Sequence, residues 1–292
     1  MRSGVTIQVS GGLGNQLFML TAAASLLKFD AVQPCNIDLT TVGTKRSPHA
    51  SGIGNLKLEA FVGQDLDKLS FFRSSPIQRF LERKISPKNI ESLEQLGFSD
   101  LSVVAQSNQV RLVGYFQSEK YLHEARMRSW PLNLEPNLPS DMFFKAREFF
   151  ANESVAFIHI RRGDYIFHKE SLGVLGAEYF QSGVEALIGK GFTSFCVISD
   201  DVEWADQIVH SLPSANYFSI SAKFDLTDEE TLSIASEAPA IVISNSSFGY
   251  WAGMAGGNKA IVAPSNWFRR LAAPESLFVS PEIIFCESVW IP

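Results

Sequence analysis

Short runs of apolar residues recur along the chain and alternate with longer segments in which apolar residues follow helical spacing. In the first part of the sequence this pattern predicts strands at residues 5–9, near 32–37 and at 111–116, with a helix over 17–29. The segment from about 44 to 108 mixes Ser, Pro and charged residues with aromatic pairs and follows neither period. Strands that alternate with helices are typical of parallel βαβ units, so this part predicts an α/β domain.

A proline-rich stretch separates this series from a second one. Residues 130–140 read WPLNLEPNLPS, a composition typical of a linker. A helix over 141–153 follows, with Ser140 or Asp141 as its N-cap. The pattern then predicts strands at 155–160, 195–198, 240–243 and 260–263, and helices at 177–189, 202–211 and 227–237. We therefore predict two doubly wound α/β domains, residues 1–140 and residues 141–292.

The composition limits the classes of protein to which the chain can belong. Its 292 residues carry a net charge of −6 and are 46% hydrophobic, which is typical of a globular protein. The acidic balance argues against nucleic-acid binding, and no apolar run reaches the ~18 residues of a membrane helix. The first apolar run is too short for a signal peptide. We therefore expect a cytoplasmic protein with at most peripheral membrane contact.

The three cysteines, Cys35, Cys196 and Cys286, lie far apart in the sequence. Without a C-x-x-C pair, they indicate neither a zinc site nor a disulfide framework. We expect them to be reduced, in agreement with a cytoplasmic location.

Candidate chemistry lies where predicted strands end. In open parallel sheets, ligands bind at the carboxyl ends of the strands. Four polar or glycine-rich segments occupy such positions: SGGLGN, RRGD, SDD and SNSSFG. These segments are therefore the candidates for a binding site.

The glycine segment GGLGNQ follows the first predicted strand. Glycines between a strand and a helix let backbone N–H groups approach a phosphate or a sugar closely, which makes Gly12 and Gly14 candidate contacts. The spacing matches neither G-x-G-x-x-G nor a Walker A loop. A tight turn without a ligand is the alternative interpretation.

Two adjacent arginines follow a later strand in the segment HIRRGDY. Side chains alternate along a strand, so His159 and Arg161 share one face and Arg162 points to the other. A guanidinium is a planar fork that suits a phosphate, and Gly163 permits a turn directly after it. Asp164 either holds an arginine in place or acts on the substrate. A surface Arg–Asp pair is the alternative interpretation.

Helix caps are expected after the strands at 195–198 and 240–243. Ser and Asn cap helices, and the free N–H groups of a first turn bind anions, so SNSSFG is either an anion site or a plain N-cap. In SDD, Asp200 or Asp201 either caps the next helix or belongs to a metal site. We favour a cap and ligand rim, because no matching ligand cluster occurs elsewhere in the sequence. Together, the arginines and helix N-termini would hold a phosphate-bearing ligand. The same groups would stabilise a diphosphate leaving group.

With these residues, the chain resembles the bacterial α-1,2-fucosyltransferases. The matches keep the family order from residue 10 to 268: GGLGNQLF, YFQSEKY (115–121), His-x-Arg-Arg-Gly-Asp-Tyr (159–165), SDDxEW (199–204), part of an NSSF segment (245–252) and IVAPxxWF (261–268). Gly249 and Tyr250 depart from the family, which usually has Ser and Trp at these positions.

The resemblance implies a GT-B architecture, in which two Rossmann-like domains face each other across the donor site. The N-terminal domain would serve the acceptor and carry the glycine loop, and the C-terminal domain would bind the donor, GDP-β-L-fucose. Arg161 would neutralise the diphosphate, and Arg162 would support the guanosine or the geometry of the motif. The other implied donor contacts are Gly12, Gly14, Asn15, His159, Ser199, Asp200, Asn245, Ser246, Ser247 and Phe248.

The implied reaction moves L-fucose to the 2-hydroxyl of a galactose-terminated glycan, with inversion and without a metal or other cofactor. A carboxylate would help to remove the proton of the attacking hydroxyl, and Asp164 and Glu119 are both candidates for this base. A transferase for another GDP-sugar and a non-catalytic nucleotide-sugar-binding homologue are the alternatives.

Overall fold

The computed structural model describes residues 4–27, 35–43, 52–75, 93–95, 97–101, 109–152, 154–257, 259–274 and 276–292. The chain divides into two compact units, Met1–Leu132 with Pro274–Val279, and Asn133–Ala273 with Ser280–Pro292. The boundary between Leu132 and Asn133 lies inside the proline-rich stretch, before the boundary predicted at residue 140. The sequence did not predict the return of Pro274–Val279 to the first unit.

The first unit is built on a five-stranded parallel sheet of order β3-β2-β1-β5-β4. Its strands are β1 (Gly4–Gln8), β2 (Cys35–Asp38), β3 (Leu69–Phe72), β4 (Leu93–Gln95) and β5 (Gln109–Gly114), and its helices are α1 (Leu13–Leu27), α2 (Leu58–Val62) and α3 (Glu119–Met127). The strands predicted at 5–9 and 111–116 are confirmed within two residues. Of the prediction at 32–37, residues 32–34 lie outside the described residues.

Helix α1 begins at Leu13, earlier than its apolar period predicted, because the glycine turn before it is short. Gly11 makes that turn with a φ of +77°, a conformation that favours glycine. All residues of α1 except Asn15 are buried, as expected for a helix enclosed in a core. Asn15 is therefore the residue of this helix that retains exposure beside the glycine turn.

The second unit contains a six-stranded parallel sheet of order β11-β10-β9-β6-β7-β8. Its strands are β6 (Val155–Ile160), β7 (Ser194–Ser199), β8 (Asn216–Ser219), β9 (Ala240–Val242), β10 (Ala260–Pro264) and β11 (Ile284–Cys286). Its helices are α4 (Asp141–Asn152), α5 (Ala177–Ile188), α6 (Val202–Val209), α7 (Ile220–Lys223), α8 (Asp228–Glu237) and α9 (Ser247–Met254). Every element predicted for this half is present, and the prediction missed β8, α7 and β11.

The core of the second unit forms around β6, whose residues are all buried. Helix α5 packs closely on the sheet, since a Cβ at Gly183 would lie 2.7 Å from Cγ1 of Val242. In both sheets the strand order reverses beside the first strand of the unit, between β1 and β5 and between β6 and β9. The two parallel sheets confirm the predicted pair of doubly wound α/β units. Within the described ranges, no helix is both long and apolar enough to cross a membrane.

Candidate functional site

Three of the four polar strand ends meet at the point where the second sheet reverses its order. Strand β6 lies between β7 and β9, so the residues that follow these three strands are neighbours. A crevice at such a reversal is the usual ligand site of an open parallel sheet. RRGD, SDD and SNSSFG therefore form one cluster, whereas the glycine segment belongs to the first unit.

The two arginines bind different carboxylates. Nη1 of Arg161 lies 3.0 Å from Oδ2 of Asp200, and Nη2 lies 2.5 Å from Oδ1 of Asp164. Nη1 of Arg162 binds Oδ2 of Asp201, and its guanidinium lies 5.3 Å from the ring centroid of Trp204. The Arg–Asp pair considered from the sequence is therefore present. Each guanidinium also has a buried Nε donor with no hydrogen-bond partner among the described residues.

Asp200 holds the turn that carries the arginines. Its Oδ1 accepts a hydrogen bond of 2.8 Å from the backbone N–H of Arg162, while Oδ2 binds Arg161. A Cβ at Gly163 would collide with Oδ2 of Asp200. Gly163 therefore leaves room for the carboxylate as well as permitting the turn.

Asp201 is the N-cap of helix α6, which confirms the cap interpretation of SDD. Its Oδ1 accepts a hydrogen bond of 3.1 Å from the N–H of Trp204. This bond, together with the bond from Arg162, lowers the pKa of Asp201. Ser199 supports the same turn, because its Oγ accepts a 3.0 Å hydrogen bond from the N–H of Asp201. Among the residues that the structure describes, no group of three His, Cys, Asp or Glu could hold a metal ion.

The segment after β9 supplies a helix N-terminus and an anchor. Ser246 caps α9, since its Oγ accepts a hydrogen bond of 3.3 Å from the N–H of Phe248, and Ser247 is the first helical residue. Asn245 is fully buried, and its Nδ2 donates to the carbonyl of Leu172 at 3.0 Å. Its own carbonyl accepts the hydroxyl of Tyr165 at 3.1 Å. Asn245 thus fastens this segment to the RRGDY turn.

His159 lies at the centre of the cluster. It is 5% exposed, and its ring stacks on Phe248 with the centroids 5.3 Å apart. Burial, with a further contribution from the charge of Arg161, lowers the pKa of His159 to about 3. The ring is therefore neutral at physiological pH.

Ser244 is a site residue that sequence reasoning missed. Its Oγ accepts a hydrogen bond of 2.8 Å from the backbone N–H of Arg161 and lies 3.1 Å from Nδ1 of His159. The available signal was its position as the first residue of SNSSFG. Ser244 therefore joins the end of β9 to the motif that follows β6.

In the first unit, the glycine turn lies where its own sheet reverses order. Oδ1 of Asn15 accepts a hydrogen bond of 2.8 Å from Nε2 of Gln117, which follows β5. Oε1 of Gln117 is buried and has no partner among the described residues. Gly14 is buried inside α1, whereas Gly12 precedes the helix and is half-buried. Gln117 was also missed, and its signal was its place in YFQSEKY.

Glu119 takes part in the packing of the first unit. It is 3% exposed, and its Oε2 accepts a hydrogen bond of 2.5 Å from the N–H of Val279. Its own N–H donates to the carbonyl of Ser276 at 2.9 Å. The structure thus gives Glu119 a structural partner, and its assignment as a base stays a prediction.

Comparison with known proteins gives one family match and several similar proteins. The model of glycosyl transferase family 11 matches residues 101–279. An α-1,2-colitosyltransferase of Escherichia coli is 28% identical over 280 residues, 91% of this chain and 93% of that protein. The O-antigen biosynthesis glycosyltransferase WbnK of Escherichia coli is 25% identical over 288 residues, 89% of this chain and 93% of that protein. The fucosyltransferase NodZ from Bradyrhizobium, a solved structure, has a TM-score of 0.45 and 12% identity, over 86% of this chain and 92% of that one.

The matched region contains the whole cluster around β6, from the paired arginines to the cap of α9. It spans more than half of the 292 residues, and the two relatives cover the chain almost from end to end. The protein is a glycosyltransferase, and the chain belongs to glycosyl transferase family 11.

Proposed function

We propose that the protein transfers L-fucose from GDP-β-L-fucose to the 2-hydroxyl of a galactose-terminated glycan, with inversion and without a metal. The observation that carries this proposal is the guanidinium of Arg161 at the reversal point of the second sheet. The guanidinium lies beside two carboxylates, and the backbone N–H of Arg161 donates to Ser244 in the segment that leads into the N-terminus of α9. Guanidinium groups and helix N-termini are the groups that stabilise a departing diphosphate.

The pairing of Arg161 supports an exchange of partners when the donor binds. The side chain of Asp164 is 56% exposed, whereas that of Asp200 is 27% exposed. An exposed ion pair stabilises a protein by only about 0–1 kcal/mol, so a diphosphate with more negative charge can replace Asp164. Asp200 would keep Arg161 oriented, because Asp200 is also held by the N–H of Arg162.

The released carboxylate of Asp164 is then the candidate base. In the proposed step, the galactose 2-oxygen forms a bond to the anomeric carbon of fucose while the bond from that carbon to the diphosphate breaks. The hydroxyl proton passes to Asp164, and Arg161 takes up the charge that develops on the leaving diphosphate. A contact that strengthens in the transition state raises kcat rather than ground-state binding.

The remaining donor contacts are assigned by position. The first turn of α9, with Ser246 and Ser247, would bind a phosphate through its free N–H groups. Phe248 and His159 would lie against the nucleotide. We assign Ser199 and Asn245 to holding the two loops, because their side chains already bind neighbouring backbone groups.

A specific relative favours a second candidate donor. The α-1,2-colitosyltransferase is 28% identical to this chain and covers 91% of it, so transfer of colitose is the second candidate reaction. Under this alternative the donor would be the colitose counterpart of GDP-fucose, and the roles of Arg161 and Asp164 would be unchanged.

Donor and acceptor assays test the proposal. Purified protein is incubated with GDP-fucose or GDP-colitose and with lactose, N-acetyllactosamine or galactosyl-N-acetylgalactosamine, in excess EDTA and in Mn²⁺, and the product linkage is determined by NMR. We expect an α-1,2-fucosylated product whose rate of formation EDTA does not change. The variant Arg147→Ala is the control for substitutions of Arg161, since the guanidinium of Arg147 pairs with Glu237 outside the cluster.

Each other outcome points to a different conclusion. Faster transfer from GDP-colitose would replace the proposed donor with the second candidate. Binding of GDP without turnover of either donor would identify a non-catalytic binding protein. Loss of activity in EDTA that Mn²⁺ restores would assign a metal to the SDD segment.

A further inference from the structure

We infer that Ser244 is a positioning residue, which fixes the ring of His159 as the tautomer protonated on Nδ1 and so presents Nε2 as a hydrogen-bond acceptor to the nucleotide sugar. The choice of ligand rests on the proposed function, whereas the tautomer follows from contacts within the protein.

The hydroxyl of Ser244 has three polar neighbours. Its Oγ lies 2.7 Å from the carbonyl oxygen of His159, 2.8 Å from the backbone N of Arg161 and 3.1 Å from Nδ1 of His159. Ser244 is fully buried, so these neighbours satisfy its hydroxyl without solvent. The arrangement matches the capacity of a hydroxyl group, which donates one hydrogen bond and accepts two.

Counting hydrogen atoms assigns the direction of each bond. Two oxygens 2.7 Å apart must share a hydrogen, and a carbonyl has none, so the Ser244 hydroxyl donates to the carbonyl of His159. The backbone N–H of Arg161 donates to Oγ. The single hydrogen of the hydroxyl is then used, so Nδ1 of His159 must itself carry the proton that lies between it and Oγ. This leaves Nε2 without a proton.

Two further features hold the ring in place. Phe248 stacks on it with an angle of 19° between the planes. A Cβ at position 249 would lie 2.7 Å from Nδ1, so Gly249 provides the space that the ring occupies. The low pKa of His159, about 3, agrees with a ring that carries only one proton.

The tautomer determines what kind of ligand group the ring can bind. Nε2 of His159 has no hydrogen-bond donor among the described residues. An unprotonated Nε2 repels a phosphate oxygen and accepts from a hydroxyl or an N–H. Arg161 and His159 would thus divide the donor between them, because the guanidinium binds the anion and the imidazole binds a hydrogen-bond-donating group of the sugar or nucleoside.

The experiment reads the tautomer directly in the full chain. In protein labelled with ¹⁵N-histidine, the signals of His159 are assigned by their loss in His159→Asn. We expect an ¹⁵N shift typical of a protonated nitrogen at Nδ1 and one typical of an unprotonated nitrogen at Nε2, both constant between about pH 5 and 8. The opposite assignment in the wild-type protein would overturn the inference, whether or not any variant folds.

Variants of Ser244 test its role. In Ser244→Ala we expect the two ¹⁵N shifts of His159 to move toward each other as the tautomers mix, while Ser244→Thr keeps the wild-type shifts. The Kd for GDP-fucose should rise roughly tenfold in Ser244→Ala, as for the loss of one hydrogen bond, and recover in Ser244→Thr. An unchanged tautomer in a folded Ser244→Ala would contradict the inference. The expected tautomer without GDP-fucose turnover would overturn only the proposed function.

Discussion

The carboxylates around the two arginines differ in how firmly the protein holds them. Asp201 caps a helix and binds Arg162, and its pKa is lowered by the cap bond first and by Arg162 after it. The side chain of Asp164 is more exposed than that of Asp201, and its carboxylate pairs with Arg161. At the scale of single residues, Arg162 is therefore fixed by its environment, while Arg161 can exchange one partner for an anion.

Lysine substitutions of the two arginines should have unequal effects. Lysine keeps the charge but loses the bidentate fork. We expect Arg161→Lys to lower kcat by roughly 10²–10³, as for the loss of one oxyanion donor. Arg162→Lys should act mainly on the KM for the donor or on stability. Steady-state kinetics with thermal melts measure both. If folded Arg161→Lys keeps the wild-type kcat while Arg162→Lys is inactive, then Arg162 and not Arg161 contacts the diphosphate.

The sequence could identify residues at strand ends but not their partners across the fold. Arg161, Arg162 and Asp201 were identified because each follows an apolar run. Ser244 was not, since its hydrogen bonds join it to His159, 85 positions away along the chain. Such pairs depend on the order of the strands in the sheet, which the local pattern of one sequence does not contain.

Helices α4 and α8 begin at a shared carboxylate. Thr227 and Glu230 form a capping box at the start of α8. Oε2 of Glu230 accepts from the N–H of Thr227 at 2.9 Å, and Oε1 accepts from the N–H of Ser140, which caps α4, at 2.6 Å. Glu230 is 2% exposed. At the scale of elements, one side chain therefore fixes two helix N-termini.

Replacing Glu230 should destabilise the second unit in a pH-dependent way. Burial alone would raise the pKa of Glu230, but the hydrogen bonds from Thr227 and Ser140 outweigh it and lower the pKa. The unfolded chain then takes up the proton first, so this stabilisation is complete above about pH 4.3 and is lost as the pH falls below it. We expect Glu230→Ala to cost about 3 kcal/mol at pH 7 because the N–H groups of Thr227 and Ser140 lose a charged acceptor.

Urea unfolding of the wild-type protein and Glu230→Gln at about pH 7, 5 and 3.5 tests the linkage. The difference in unfolding free energy between the two proteins should be constant at the two higher pH values and should shrink at the lowest. A difference that does not depend on pH would mean that the carboxylate titrates alike in the folded and unfolded chain.

The strands that the sequence predicted in the second unit are those with runs of buried residues. Strand β6 has apolar residues on both faces, as is usual for the interior of a parallel sheet, and its bounds were predicted correctly. Strands β8 and β11 lie at the two edges of the sheet, and neither contains a fully buried residue. Strand β8, with the sequence NYFS, has no continuous apolar run, and β11, with the sequence IFC, is only three residues long.

At the scale of the whole molecule, the chain passes between the two units three times. The segment Pro274–Val279 returns to the first unit and meets the start of α3. There, the carbonyl of Ser276 accepts from Oγ of Ser118 at 3.0 Å and from the N–H of Glu119, while Glu119 holds Val279. Glu119 therefore has a role in the first unit that does not depend on catalysis.

Glutamine at position 119 separates the structural role from that of a base. Gln keeps an oxygen that accepts from the N–H of Val279 but cannot take up a proton at neutral pH. We expect Glu119→Gln to retain kcat within about threefold, whereas removal of a true general base lowers it by roughly 10²–10⁴. Glu119→Ala, which removes the acceptor, should lower the Tm. A stable Glu119→Gln protein without turnover would restore Glu119 as the base.

The return of Pro274–Val279 has a consequence for anyone who recombines this enzyme with a relative to alter its donor preference. A graft of everything after residue 132 would bring in a foreign stretch at 274–279, which would then have to fit the native Ser118 and Glu119. A workable hybrid needs junctions near residues 133, 274 and 280, so that these six residues stay with their own N-terminal half. Each compact unit is thus made of two segments that are not contiguous in the sequence.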